Sequence, residues 1–276
     1  MADKSEAEAA MLSPGSSFQL QAKGLGFKCR IDGRRQGPWL VFSNSLATNL
    51  SMWDEQVAAL GNEFRILRYD QRGHGGTTVP STPCTFDQLV GDVLAIFDAI
   101  GIDRATLLGV SMGAVTALRF AALHPQRLDR VIACDGPWVN PAGAAELWEE
   151  RIAVVRSQGM QALVQPTVQR WFRAAFVAGN PPVLDKVRRM IADTPAEGFI
   201  ACARALQQFD FRQSFPQIRV PTLLLCGAAD GVMPQVMREM HAAMGGSEFV
   251  EIPEAGHLPN LENPEEFRRA LAAWIR

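Results

Sequence analysis

The sequence has no excess of either charge. Its 27 lysines and arginines nearly cancel its 29 aspartates and glutamates and lie scattered along 276 residues, so it carries no basic footprint for nucleic acid or for an anionic membrane surface. Paired or regularly spaced cysteines are also missing. The five present, Cys29, Cys84, Cys134, Cys202 and Cys226, are odd in number and lack metal-ligand spacing, which argues against a disulfide framework and points to reduced thiols in the cytoplasm. No cluster of ligand-type residues is spaced to hold a metal, and no metal or organic cofactor is expected. Near the N-terminus there is no apolar run. Residues 1–15 are polar, acidic and alanine-rich, neither signal peptide nor membrane span, and residues 1–16 are expected to form a loose tail. Internal repeats and low-complexity linkers are absent too. What remains is an ordinary globular composition, 47% hydrophobic and 20% charged, able to bury a large core and suited to small-molecule partners.

The apolar residues fall into two periodicities. Phe18-Gln19-Leu20 and Phe27 to Ile31, separated by Gly24 and Gly26, alternate like an edge hairpin. Trp39 to Phe42, Phe64 to Leu67, Thr106 to Leu108, Arg130 to Cys134, Thr222 to Cys226 and Glu248 to Ile252 are short apolar runs of strand length. Between them lie helical patterns at Met52 to Leu60, Phe86 to Phe97, Ala114 to Leu123 and Glu265 to Ile275. Such alternation implies an α/β fold with a mostly parallel sheet covered on both faces, whose function collects in loops at the carboxyl ends of the strands. Residues 136–215 break the rhythm: their apolar spacing is helical, and Pro141, Pro166, Pro181-Pro182 and Pro195 divide them into short helices. The expected organisation is a core of 17–135 and 216–276 with a helical cap, 136–215, inserted into it.

One stretch organises the chemistry. Gly109-Val110-Ser111-Met112-Gly113 is a G-x-S-x-G pentapeptide between an apolar strand run and a helical pattern. A strand that turns at once into a helix strains its turn residue, and the glycines admit close approach of the two elements. Ser111 is thereby exposed at a helix N-terminus, where unpaired N–H groups favour developing negative charge. Its hydroxyl needs a base held by a carboxylate. His257, in a loop past the last strand run, is the candidate base. His124, His74 and His241 read as structural. Asp230, following the strand run that ends at Cys226, fits the chain order Ser, Asp, His; Asp135, following the run that ends at Cys134, is the alternative acid. The oxyanion would be held by the backbone N–H groups of Met112 and, counting back from Trp53, of Leu46.

These residues carry a family resemblance. Ser43-Asn44-Ser45-Leu46, Met52-Trp53-Asp54, Arg68 to Gly75, Arg170-Trp171-Phe172 and Thr194 to Phe199 resemble the 3-oxoadipate enol-lactonases of bacterial aromatic catabolism, within the α/β-hydrolase fold. The resemblance implies a serine hydrolase cleaving a carboxylic ester or lactone through an acyl-enzyme, namely 3-oxoadipate enol-lactone hydrolysis, with a carboxylated small molecule as substrate. Trp138, Arg170, Trp171 and Arg173 are then the substrate-binding candidates, with Trp148 and Arg151 beside them. Ala47 and Ala114 stand where that family usually has glycine. A general carboxylesterase or carbon–carbon bond hydrolase of the same fold, and a ligand receptor with a slow triad, are the alternatives.

Overall fold

The computed structural model describes residues 13–141 and 143–275. Eight strands form one sheet in the order β1-β2-β4-β3-β5-β6-β7-β8. They are β1 (Ser17–Ala22), β2 (Leu25–Gly33), β3 (Trp39–Ser43), β4 (Arg65–Tyr69), β5 (Ala105–Val110), β6 (Leu128–Cys134), β7 (Thr222–Gly227) and β8 (Ser247–Ile252). β2 runs antiparallel to both β1 and β4, and the remaining pairs are parallel. Every residue of β5 and β7 is buried, as a strand covered by helices on both faces requires. At one edge β1 alternates exposed and buried positions, with Phe18 and Leu20 inward. At the other, β8 carries Glu248 and Glu251 and is only half-buried, a charged edge that discourages further pairing. Gly15 N–H donates to Ile31 O and Ile31 N–H to Ser16 O, so the loose tail expected through residue 16 does not reach that far. Residues 1–12 of that tail lie outside the described residues.

The strand order fixes where a ligand can sit. From β3 the chain moves outward to β4, then crosses back to β5 on the other side of β3. Loops leaving the carboxyl ends of β3 and β5 therefore diverge and leave a crevice between them. The helix Phe86–Ile100, which makes this crossing, starts in a Thr85/Gln88 capping box and ends at Gly101 in the left-handed conformation, both strong local signals.

Among the described residues five α-helices lie between β6 and β7: Ala144–Gln158, Gln161–Trp171, Ala174–Gly179, Pro182–Ala192 and Ala196–Gln207. Proline places the starts of two of the five, with Pro182 at a first helical position and Pro195 at an N-cap. Pro166 does not divide two helices as expected. The helix runs through it, because Leu163 and Val164 before it and Val168 and Trp171 after it share one buried face, and that burial outweighs one lost backbone hydrogen bond. No helix among the described residues is long and apolar enough to cross a membrane.

Candidate active site

Ser111 joins β5 to the helix Met112–Leu123 with φ 57° and ψ −117°, a left-handed conformation that costs a non-glycine residue about 1–3 kcal/mol. Packing leaves no alternative. A Cβ on Gly109 would lie 2.0 Å from Gly113 O, and one on Gly113 would lie 2.1 Å from Ser43 O, so both glycines are sterically required. Ser111 opens onto a cavity of about 410 Å³ that Leu46, Asp230, His257, Arg170 and Trp171 also line. Among the described residues neither the Met112 N–H, at the first helical position, nor the Leu46 N–H has a protein acceptor.

His257 follows β8 and Asp230 follows β7, both at the carboxyl edge. His257 Nδ1 lies 2.7 Å from Asp230 Oδ2, an arrangement that leaves Nε2 for other partners. Burial would lower the His257 pKa, but the charge and hydrogen bond of Asp230 outweigh it and hold the imidazole above its ordinary 6.5. Asp135 follows β6 at φ 51° and is fully buried. Its Oδ1 accepts from Gly227 N–H at 3.0 Å. Ligand-type atoms of Asp135, Asp230 and His257 all lie within 4.8 Å of one another, with Asp230 and His257 hydrogen-bonded to each other and Asp135 beside them. The hydrogen bond to His257 belongs to Asp230.

The loop after β3 is held from several sides. Asn44 donates to Tyr69 O and accepts from Trp53 Nε1, both at 2.8 Å, and Ser43 Oγ lies 3.0 Å from Tyr69 OH. Ala47 has φ 59°, the reason glycine suits that position. Its N–H donates to Nε2 of His74 at 3.0 Å, so Nδ1–H of His74 must donate to Arg72 O, also 3.0 Å away. Burial pushes the His74 pKa down to about 4, and a neutral ring is what an N–H acceptor needs. The sequence marked His74 as structural; that it supports the loop bearing Leu46 had no signal in the spacing.

Two candidate substrate residues lie elsewhere. Arg173 is not at the cavity: its Nε pairs with Glu262 at 3.0 Å, and the buried Glu262 carboxylate also accepts from Gly256 N–H at 2.7 Å and Arg173 N–H at 3.1 Å. Trp138 is not among the residues lining the cavity: it packs against the hydrophobic core and its carbonyl accepts from Phe211 N–H. Arg170 and Arg151 do line it, and among the described residues neither has a carboxylate within ion-pair distance. Arg170 is exposed to solvent, yet the protein around it and the charge of Arg151 bring its pKa down to about 10. The Arg151 guanidinium stacks over Trp148 at 4.5 Å.

Residues 40–270 match the model of the family described as the alpha/beta hydrolase family. The chain belongs to that family. Its sequence is 34% identical over 257 residues to 3-oxoadipate enol-lactonase 2 of Acinetobacter baylyi, covering 93% of this chain and 96% of that protein. The crystal structure of the enol-lactonase from Burkholderia xenovorans LB400 superposes with a TM-score of 0.89 at 38% identity, over 94% of this chain and 99% of that one. A thermophilic esterase from Thermogutta terrifontis, solved with malate bound, gives 0.87 at 27% identity, over 95% of this chain and 98% of that one. Within the α/β-hydrolases the chain is thus an enzyme that resembles enol-lactonases along nearly its whole length.

Proposed function

We propose that this α/β-hydrolase opens a carboxylated enol-lactone, of the 3-oxoadipate enol-lactone kind, through an acyl-enzyme on Ser111. In the proposed reaction the Ser111 hydroxyl attacks the lactone carbonyl while Nε2 of His257 takes its proton, and Asp230 stabilises the resulting imidazolium. The N–H groups of Met112 and Leu46 hold the oxyanion. Collapse expels the ring oxygen as an enolate, which His257 protonates. The enol tautomerises to a ketone and cannot simply reclose. Water, deprotonated by His257, then releases the acid and restores Ser111.

The observation that carries the choice of substrate is Arg170. Arg170 lines the cavity, is open to solvent and has no carboxylate partner among the described residues, so its guanidinium is free to pair with an anionic group of a ligand, and the two lactonase relatives make a carboxylated lactone the fitting one. Arg151, held against Trp148, adds a second positive charge to the same wall. The test compares Arg170→Met with wild type on a carboxylated enol-lactone and on a neutral ester of similar size. The expected outcome is a loss of about 2–5 kcal/mol in transition-state stabilisation for the charged substrate and little change for the neutral one. Equal loss on both, or a wild-type preference for neutral esters, would favour a general carboxylesterase.

A further inference from the structure

Asp135 is a buried ionisable group at the cavity that the proposed reaction leaves unused. It sits at the end of β6 with 0% of its surface exposed, in a left-handed conformation that aspartate and asparagine tolerate better than most side chains. Its surroundings are unusual for a carboxylate. Gly227 N–H at 3.0 Å and the Cys226 thiol at 3.1 Å face Oδ1, while the Cys134 thiol lies 2.9 Å from Oδ2. No arginine or lysine pairs with it among the described residues. Instead a second carboxyl, Asp230, lies within 4.8 Å, as does His257.

Two carboxylates this close, one of them fully buried and neither in an ion pair with an arginine or lysine among the described residues, repel strongly enough to hold one proton between them. One proton must be shared between them, and the geometry decides where it rests. Asp230 has the histidine at 2.7 Å, a partner that favours its charged form. Asp135 has one backbone donor and two weakly polar thiols. With Gly227 N–H on Oδ1, the proton belongs on Oδ2. We propose that Asp135 is a neutral carboxylic acid at working pH and donates its hydrogen bond to the Asp230 carboxylate, acting as a positioning residue behind the acid–base pair. The inference rests on Asp230 being the partner of His257 in the reaction. The charge balance agrees. Burial and then the Asp230 charge push the Asp135 pKa well above the usual carboxylate range. Burial would raise Asp230 too, but the charge and hydrogen bond of His257, the bond from Asp135 and the charge of Arg170 hold it low. Besides the two thiols, Asp230 and His257 are the titratable groups that face Asp135.

A donor at this point fixes the rotamer of Asp230 and takes up part of its charge, so that Asp230 holds the imidazole in one tautomer without overbinding its proton. Asparagine reproduces both functions, since its amide donates to Asp230 and its oxygen can still accept from Gly227. Glycine suits the backbone but offers no donor.

The test uses infrared difference spectra and pH–rate profiles of wild type, Asp135→Asn and Asp135→Gly. At neutral pH the wild type minus Asp135→Asn spectrum should contain the carbonyl band of a protonated carboxyl. Asp135→Asn should keep kcat/KM within about threefold of wild type with its acidic limb unmoved. Asp135→Gly should lose about tenfold in kcat with KM little changed, and its acidic limb should move to higher pH. The proposal is overturned if no such band is present, or if Asp135→Asn moves the acidic limb to lower pH, as removal of an anion beside His257 would. Should Asp135→Gly fail to fold, the band and the Asp135→Asn profile still decide. The infrared readout does not depend on turnover, so it stays separate from the failure of the triad reading, which wild-type-like activity of Asp230→Asn would signal.

Discussion

The side chains with the sharpest consequences are Ser111, Asp230 and His257. Ser111→Ala should lower lactone hydrolysis by several orders of magnitude and abolish covalent labelling by an acylating ester, read by intact-protein mass. Asp230→Asn should cost roughly 10⁴ in rate, by analogy with other triads, because the imidazole is left in the wrong tautomer. Its pH profile carries a sign. The imidazole must be neutral to accept a proton, and Asp230 holds its pKa above 6.5; kcat/KM should rise with pH through that raised value in wild type, and the acidic limb should move to lower pH once the charge is gone. A limb that stays in place would mean that another group sets it. That Ser111, Asp230 and His257 converge on one cavity was legible in the sequence, because a G-x-S-x-G motif and the order Ser, Asp, His constrain one another. Arg173 and Trp138 were not, since nothing in a local sequence tells an arginine facing a cavity from one paired with a buried glutamate 89 residues away.

Among the elements, the loop 70–76 and the helix Phe86–Ile100 are joined by a buried ion pair. Arg72 donates to both oxygens of Asp92, at 2.6 and 2.5 Å, and both side chains are at least nine-tenths buried. Removing one partner strands a charge in the interior. Asp92→Ala should therefore lower unfolding stability by about 3–5 kcal/mol in denaturant titrations, while leaving the activity of the folded fraction close to wild type. The strands and helices of the sheet were readable from periodicity, as runs with both faces apolar and helices with one apolar face rarely leave a second reading. Boundaries were less so. The fourth strand begins at Arg65, not Phe64, because Phe64 N–H is taken by Leu60 O at the end of the preceding helix. Ionic ties between distant elements, such as Lys186 to Asp54 to Arg68 to Asp32, depend on the fold itself and leave no periodic trace.

For the whole molecule, the buried neutral His74 links stability to pH. Its folded pKa of about 4 lies below the unfolded 6.5, so between these values the unfolded chain binds the extra proton and acid favours unfolding. The contribution is complete above pH 6.5 and lost as pH falls towards 4. Relative to a His74→Gln variant, wild type should lose about 3 kcal/mol of stability between pH 7 and pH 4, measurable by urea unfolding at both pH values; a constant difference would show that the ring titrates normally when folded. A last consequence comes from the contact between the inserted helices and the histidine loop. His257 N–H donates to Trp171 O at 2.7 Å, a Cβ on Gly256 would lie 2.4 Å from that same oxygen, and Arg173 grips Glu262. For anyone exchanging specificity among these enzymes, the unit of transplantation is then not the inserted helices alone. A graft that brings in a foreign 161–173 must bring its own 256–262 with it, or the new pocket arrives with its histidine out of place.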